Sequence, residues 1–257
     1  MEVMVLKISA VVLIFATGMA GGMMPVRFEL GEVGRQRLVL GNSFSAGVFL
    51  GAGLLHMLPD ALDQFSGFAG HIEYPICALT CAAGFLLILL LEKALLGGHE
   101  EVGTARSGNA FYPYVLLLVL SIHSLIAGAS LGLEEAFLAS LAIFIAIIAH
   151  KGAAAFSLGV SLRQGELSRG SHVRLIILFS IMVPVGVLLG SMFSSIFSGT
   201  LDVIFEGIFD ALAAGTFLYV GILEIMSEVF EEKQHNWAKL VLVFIGFTLM
   251  AAIAIWT

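Results

Sequence analysis

The chain has 257 residues, of which 59% belong to the AVILMFWYC set and only 12% are charged, with a formal charge of −7 and a mean hydropathy of +1.03. A soluble domain carries about 25% charged residues, so this chain could not cover its surface in water, and its acidic balance disfavours a nucleic-acid partner. Soluble enzymes, nucleic-acid binders and disordered scaffolds are excluded, which leaves a single polytopic membrane domain over residues 1–257.

A membrane span needs about 20 apolar residues. In chain order the predicted spans are Val5 to Met24, Leu38 to Leu58, Tyr74 to Leu91, Phe111 to Leu131, Phe137 to Val160, Leu175 to Phe197, Gly207 to Val229 and Trp237 to Trp256. The first lacks a basic n-region and is too long for the apolar core of a secretion signal, so it is expected to be retained. Pro25, Pro59, Pro75 and Pro113 stand at span edges, where proline costs little. Pro184 alone is mid-span, which predicts a kink in the sixth helix. Cys77 and Cys81 lie one helical turn apart with no His or Asp beside them, and read as small packing residues. The predicted fold class is an all-α membrane protein of eight transmembrane helices.

Ten of the twelve Lys and Arg residues fall after spans 1, 3, 5 and 7, from Arg27, Arg35 and Arg37 to Lys233 and Lys239. The connections after spans 2, 4 and 6 hold none and carry Asp60, Asp63, Glu73, Glu134, Glu135, Asp202 and Glu206. Positive charge marks the cytoplasmic side, so both ends of the chain are expected on the extracytoplasmic face. The exceptions are Lys7, near the outer end of span 1, and Lys151, inside span 5.

Span 2 and span 7 share a pattern. Ser45 to Asp60 aligns without gaps to Ala213 to Glu228, with identities at Ala46/Ala214, Gly47/Gly215, Phe49/Phe217, Leu50/Leu218, Gly53/Gly221 and Leu55/Leu223. His56 then stands opposite Glu224, and Asp60 opposite Glu228. The two spans run in opposite directions, so the expectation is an inverted repeat of helices 1–3 and 6–8 around a central helix 4–5 pair. Secondary transporters use such repeats to supply equivalent gates on the two sides.

Ionisable residues inside spans cost about 2.5–3.5 kcal/mol each and are functional candidates. Span 4 reads His123-Ser-Leu-Ile-Ala-Gly, and span 5 reads His150-Lys-Gly-Ala-Ala-Ala. Counted from the turn at Glu134, the two histidines differ in depth by only about 7 Å at 1.5 Å per residue. Ala127, Gly128, Gly132, Gly152, Ala154 and Gly159 give both helices small faces on which to close. Two imidazoles meeting at mid-membrane point to a divalent metal, since neutral imidazole is a common ligand for zinc and its neighbours.

These segments resemble the signature helices of the ZIP family of divalent-metal transporters. The span ending Leu55-His-Met-Leu-Pro-Asp60 and the run Ala214-Gly-Thr-Phe-Leu-Tyr-Val220 are similar to the family's second and seventh helices. The resemblance covers nearly the whole chain. It implies eight spans, both termini outside, and import of zinc or iron(II) toward the cytosol through a metal site on helices 4 and 5.

Departures from the family pattern shape the expected site. Ala127 and Ala154 stand where relatives carry acidic residues, while Lys151 and Val183 stand where two-metal members carry carboxylates. An ammonium beside a second divalent ion is unfavourable, so one metal at a time is expected, held by His123 and His150 with Ser124 or water. His56 and Asp60 are the expected way in and Glu224 and Glu228 the way out, with Ser124 and Lys151 along the path. Zinc is the foremost substrate, with iron(II), cadmium and manganese as alternatives, and no cofactor is expected beyond it. Metal ion and lipid bilayer are the expected partners, with a homodimer as the oligomeric alternative, in a plasma or inner membrane. Two other readings stay open at this stage. One is a non-transporting sensor or scaffold of the same fold; the other is an intramembrane zinc hydrolase, which lacks both an H-E-x-x-H run and a carboxylate within a turn of either histidine. His71, His172 and His235 are expected at the surface, and His99 is the lone histidine of the loop after span 3.

Overall fold

A computed structural model describes residues 2–28, 31–69, 73–96, 112–165, 167–193, 200–231 and 234–256. Among the described residues, eight helices are long and apolar enough to cross a membrane. They are α1 (Glu2–Arg27), α2 (Glu32–Gly67), α3 (Ile76–Lys93), α4 (Pro113–Leu133), α5 (Phe137–Gln164), α6 (Arg169–Met192), α7 (Val203–Glu231) and α8 (Asn236–Ile253). The order matches the sequence reading, but α2 is longer than its apolar run. It starts before Arg35 and Arg37 and continues past Asp60 and Asp63, because a helix keeps its backbone bonds after its side chains turn polar.

The helices sort by contact into two groups. In the first, α4 packs along α6, α1 along α5, and α1 against α6. In the second, α2 packs along α8 and α3 along α7. The groups meet where α2 crosses α5 and α7, and where α4 touches α7. Lipid gives apolar helices little reason to associate, so close backbone approach must hold them. A Cβ at Gly47 of α2 would strike the Val243 carbonyl and the Phe247 amide of α8. A Cβ at Gly215 of α7 would likewise strike the Cys81 carbonyl and the Phe85 amide of α3. Gly246 against the Phe44 carbonyl and Gly84 against the Leu212 carbonyl complete the two contacts from the other side. Cys81, a free and buried thiol, thus stands where the backbones of α3 and α7 lie closest.

Three stretches widen into π-helical turns: Gly53–Met57 in α2, Leu91–Leu96 at the end of α3, and Tyr219–Met226 in α7. In α2 the cause is local. Pro59 has no N–H for the Leu55 carbonyl and its ring crowds that carbonyl, which an enlarged turn relieves. The α7 segment contains no proline; its Gly221 lies where an added Cβ would be 2.9 Å from the Phe49 Cβ of α2.

Buried polar groups tie helix ends to neighbours. Lys7 Nζ and Ser191 Oγ both donate to the Gly132 carbonyl, at 2.6 and 3.1 Å, which satisfies the open end of α4. Lys239 Nζ donates to the Val229 carbonyl at 2.9 Å. His172 is a correction to the expected surface position: it is 2% exposed, with Nε2 3.0 Å from the Gly22 carbonyl. Its place next to Arg169, Arg174 and the start of α6 suggested solvent, but α1 covers it. His235 is exposed, as expected, while His71 and His99 lie outside the described residues.

Candidate metal centre

The acidic turn after Leu133 folds α4 and α5 side by side, and the small faces between them bring the two histidines together. His123 Nε2 lies 3.4 Å from His150 Nε2, and the residues are 9% and 4% exposed. That spacing has a chemical meaning. Two nitrogens each about 2.0–2.1 Å from one tetrahedral zinc stand about 3.4 Å apart. The pair is therefore spaced as adjacent ligands of a single ion. Among the described residues, no group of three or more His, Cys, Asp or Glu side chains has the spacing of a metal site, so any further ligand is water or a residue that moves.

His56 of α2 faces the pair from the other helix group, its ring centroid 6.3 Å from that of His150. Asp60, one turn on, lies 2.9 Å from His56 Nδ1. A carboxylate there keeps the proton on Nδ1 and leaves Nε2 its lone pair. His56 therefore reaches further toward the centre than its position near a span end suggested.

Ser124 and Lys151 are engaged with each other. Lys151 Nζ donates to Ser124 Oγ at 2.9 Å and to the Phe179 carbonyl at 3.1 Å, and it sits 3.4 Å from the centroid of the Phe179 ring. The side chain is 2% exposed. Two oxygens and an aromatic face on α4 and α6 thus replace the water that the ammonium has lost. Lys151 occupies the ground beside the histidines with its own charge.

On one side the pair opens into a cavity of about 360 Å³. Its floor is His56, His123 and His150, and its walls carry Asp60, Glu134, Glu135, Glu206 and Asp210. Asp210 and Glu206 of α7, with Gln64 of α2, are site residues that the sequence reading missed. Gln64 Nε2 lies 3.5 Å from Glu206 Oε2. The signal was present: Asp210 is an acid inside the apolar run Gly207 to Val229. Asp63, by contrast, is exposed and does not line the cavity.

The opposite side is closed by rings. Phe217 packs edge-on to His123 and His150, at 4.7 and 5.7 Å between centroids, and lies 4.7 Å from Phe49. Glu224 and Glu228 sit beyond this plug and are not brought to the histidines. Gln164 of α5 donates to Glu228, and Tyr219 donates to Glu92 of α3. Glu92 also accepts from Lys93 at 2.7 Å. Its side chain is 14% exposed, so it is not the solvated span-end charge that its position suggests.

Comparison with known proteins matches residues 4–111 and 97–254 to the family described as ZIP zinc transporter. The chain is 34% identical to "Zinc transporter ZIP2" of Mus musculus, over 82% of this chain and 83% of that protein. It is 31% identical to "Zinc transporter ZIP2" of Homo sapiens over 98% of both chains. Similarity to "Zinc transporter ZIP1" of Mus musculus is 28% over 96% of this chain and 90% of that protein.

Proposed function

From the premise that the chain belongs to the ZIP zinc transporter family, we propose that it carries divalent metal ions, zinc foremost, toward the cytosol, one at a time, through a site formed by His123 and His150. The observation that carries this reading is the 3.4 Å spacing of two buried Nε2 atoms at the floor of an acidic cavity. Carboxylate walls concentrate cations and speed their arrival. Two neutral imidazoles bind a divalent ion without the charge of a carboxylate cage, and a transported ion must also leave. Lys151 takes the ground of a second ion, which supports one metal per cycle.

The direction rests on charge. The acidic cavity opens on the side of the Glu134–Glu135 turn, opposite the loops that hold the basic residues, so it faces outward in a plasma or inner membrane. The ion binds there and leaves past Phe217 toward Glu224 and Glu228. Alternation between two access states fits a route that is open on one side and plugged by Phe217 and Phe49 on the other. The helix group that holds the histidines, α1, α4, α5 and α6, then shifts against α2, α3, α7 and α8. An inverted repeat is supported by the matching register of Gly47 on α8 and Gly215 on α3. The relatives are transporters, so the hydrolase reading is set aside.

The test is flux. Purified protein in proteoliposomes is expected to take up zinc saturably, with iron(II), manganese and cadmium competing in a measurable order. Absence of flux in vesicles whose protein still binds zinc would make it a sensor rather than a transporter.

A further inference from the structure

On the sealed side of the route, α3 and α7 meet through a buried polar contact, and both partners lie in π-helical turns. Tyr219 is the first residue of the Tyr219–Met226 segment, and Glu92 lies in Leu91–Leu96. Tyr219 is 1% exposed, and its hydroxyl donates to Glu92. The edge of the Phe85 ring packs on it at 5.2 Å and 74°.

We propose that the Tyr219–Glu92 contact is a latch between α7 and α3 that holds the route shut beyond Phe217 while the cavity is open, and that the metal leaves only after it parts. The contact lies at a change in packing. Up to Gly215, α7 touches α3 backbone to backbone and has no room to slide. After Gly215 the close glycine contact with α3 ends, and four residues on, the wide turns begin. Such turns mark functional sites in helices because they can tighten and so shift the next stretch of helix. A hydroxyl bound to a carboxylate out of water is strong enough to hold those turns together. It is also reversible, since Glu92 keeps 14% of its side chain exposed and Lys93, 59% exposed, travels with it as a counter-charge. When the contact opens, the carboxylate meets water and a cation rather than a bare apolar slot. Tyr219 and Glu92 are positioning residues here: they touch no metal in the closed arrangement and act by holding α7.

The latch rests on the proposed alternation between two access states, and one experiment separates the two. In a background with Cys77→Ala and Cys81→Ala, one reporter is Ile225→Cys, at a residue 4% exposed beyond the latch. The other is Ala127→Cys, on the cavity wall. Both are labelled with a membrane-impermeant thiol reagent, each from its own side. Adding Tyr219→Phe, which removes only the hydroxyl, is expected to speed labelling at position 225 about tenfold, the effect of losing one hydrogen bond to a charged group, and to slow it at 127. Glu92→Leu should repeat this, and Glu92→Gln, which keeps an acceptor, should restore the original rates. Unchanged labelling at 225 in both Tyr219→Phe and Glu92→Leu would overturn the latch. Faster labelling at both reporters would also overturn it, as a bundle that had merely loosened. Faster labelling at 225 with 127 unchanged keeps the latch and sinks the coupling between the two sides.

Discussion

The two halves of the proposed route contain the same kinds of residue and use them differently. On the open side, Asp60, Glu134, Glu135, Glu206 and Asp210 face a common volume of about 360 Å³. On the sealed side, carboxylates are joined to neighbouring helices, Glu92 of α3 to α7 and Glu228 of α7 to α5. Acids around a shared volume raise the local cation concentration without fixing any ion. Acids bound across helices give up that field and become mechanical links. The histidine pair stands at the border, wet on one face and covered by Phe217 on the other.

The largest expected effect tests the border itself. His123→Ala or His150→Ala should abolish saturable zinc uptake while insertion and the melting temperature of the purified protein stay near wild type; full uptake by the double variant would remove the metal-site reading. Next come the glycines that brace the two groups. Gly47→Ala and Gly215→Ala should each destabilise by about 1–3 kcal/mol, because a methyl group must displace backbone rather than a side chain, as read by thermal unfolding in detergent. Equal losses would strengthen the case that the two contacts are equivalent, and a loss at only one would break it.

A third expectation concerns Lys151. Cadmium soaked into crystals should give one peak between α4 and α5, and two peaks within about 4 Å, the spacing of two-metal centres, would refute single occupancy. Lys151→Met should tighten cadmium binding by roughly tenfold by removing a like charge from a poorly screened site. The smallest effect belongs to the cavity wall. Asp210→Asn should raise KM for zinc by about threefold at low salt and by less at high salt, as expected of attraction at a distance. A salt-independent loss would instead make Asp210 a ligand.

Much of the fold was legible because a bilayer demands long apolar runs, and those runs are visible one residue at a time. The histidine pair was legible for a related reason: an imidazole at depth costs too much to be there idly, and the two could be counted from a common turn. Side chains whose role depends on a partner far along the chain were not legible. His172 reads as polar surface next to two arginines, yet it is buried against Gly22 of α1. Asp210 joins the cavity only because α2 brings Asp60 and Gln64 to the same volume. Glu92 resembles any span-end charge until the Tyr219 hydroxyl is seen on it. Nor does a hydropathy window show where a helix widens, since backbone bonding carries no signature in side-chain polarity.

The wide turn at Gly53–Met57 constrains how this gene can change in length. Removing one residue there would let α2 wind evenly, turning everything after it by about 100° and drawing it back by about 1.5 Å. Ala61 and Phe65, both now packed inside, would then stand where Asp60 and Gln64 meet the cavity, and the acidic wall would become greasy without a single polar residue having been mutated. A stretch that tolerates exchanges of one side chain for another should therefore reject deletions, and surviving variants with a residue lost before Pro59 should carry a compensating insertion within the next turn.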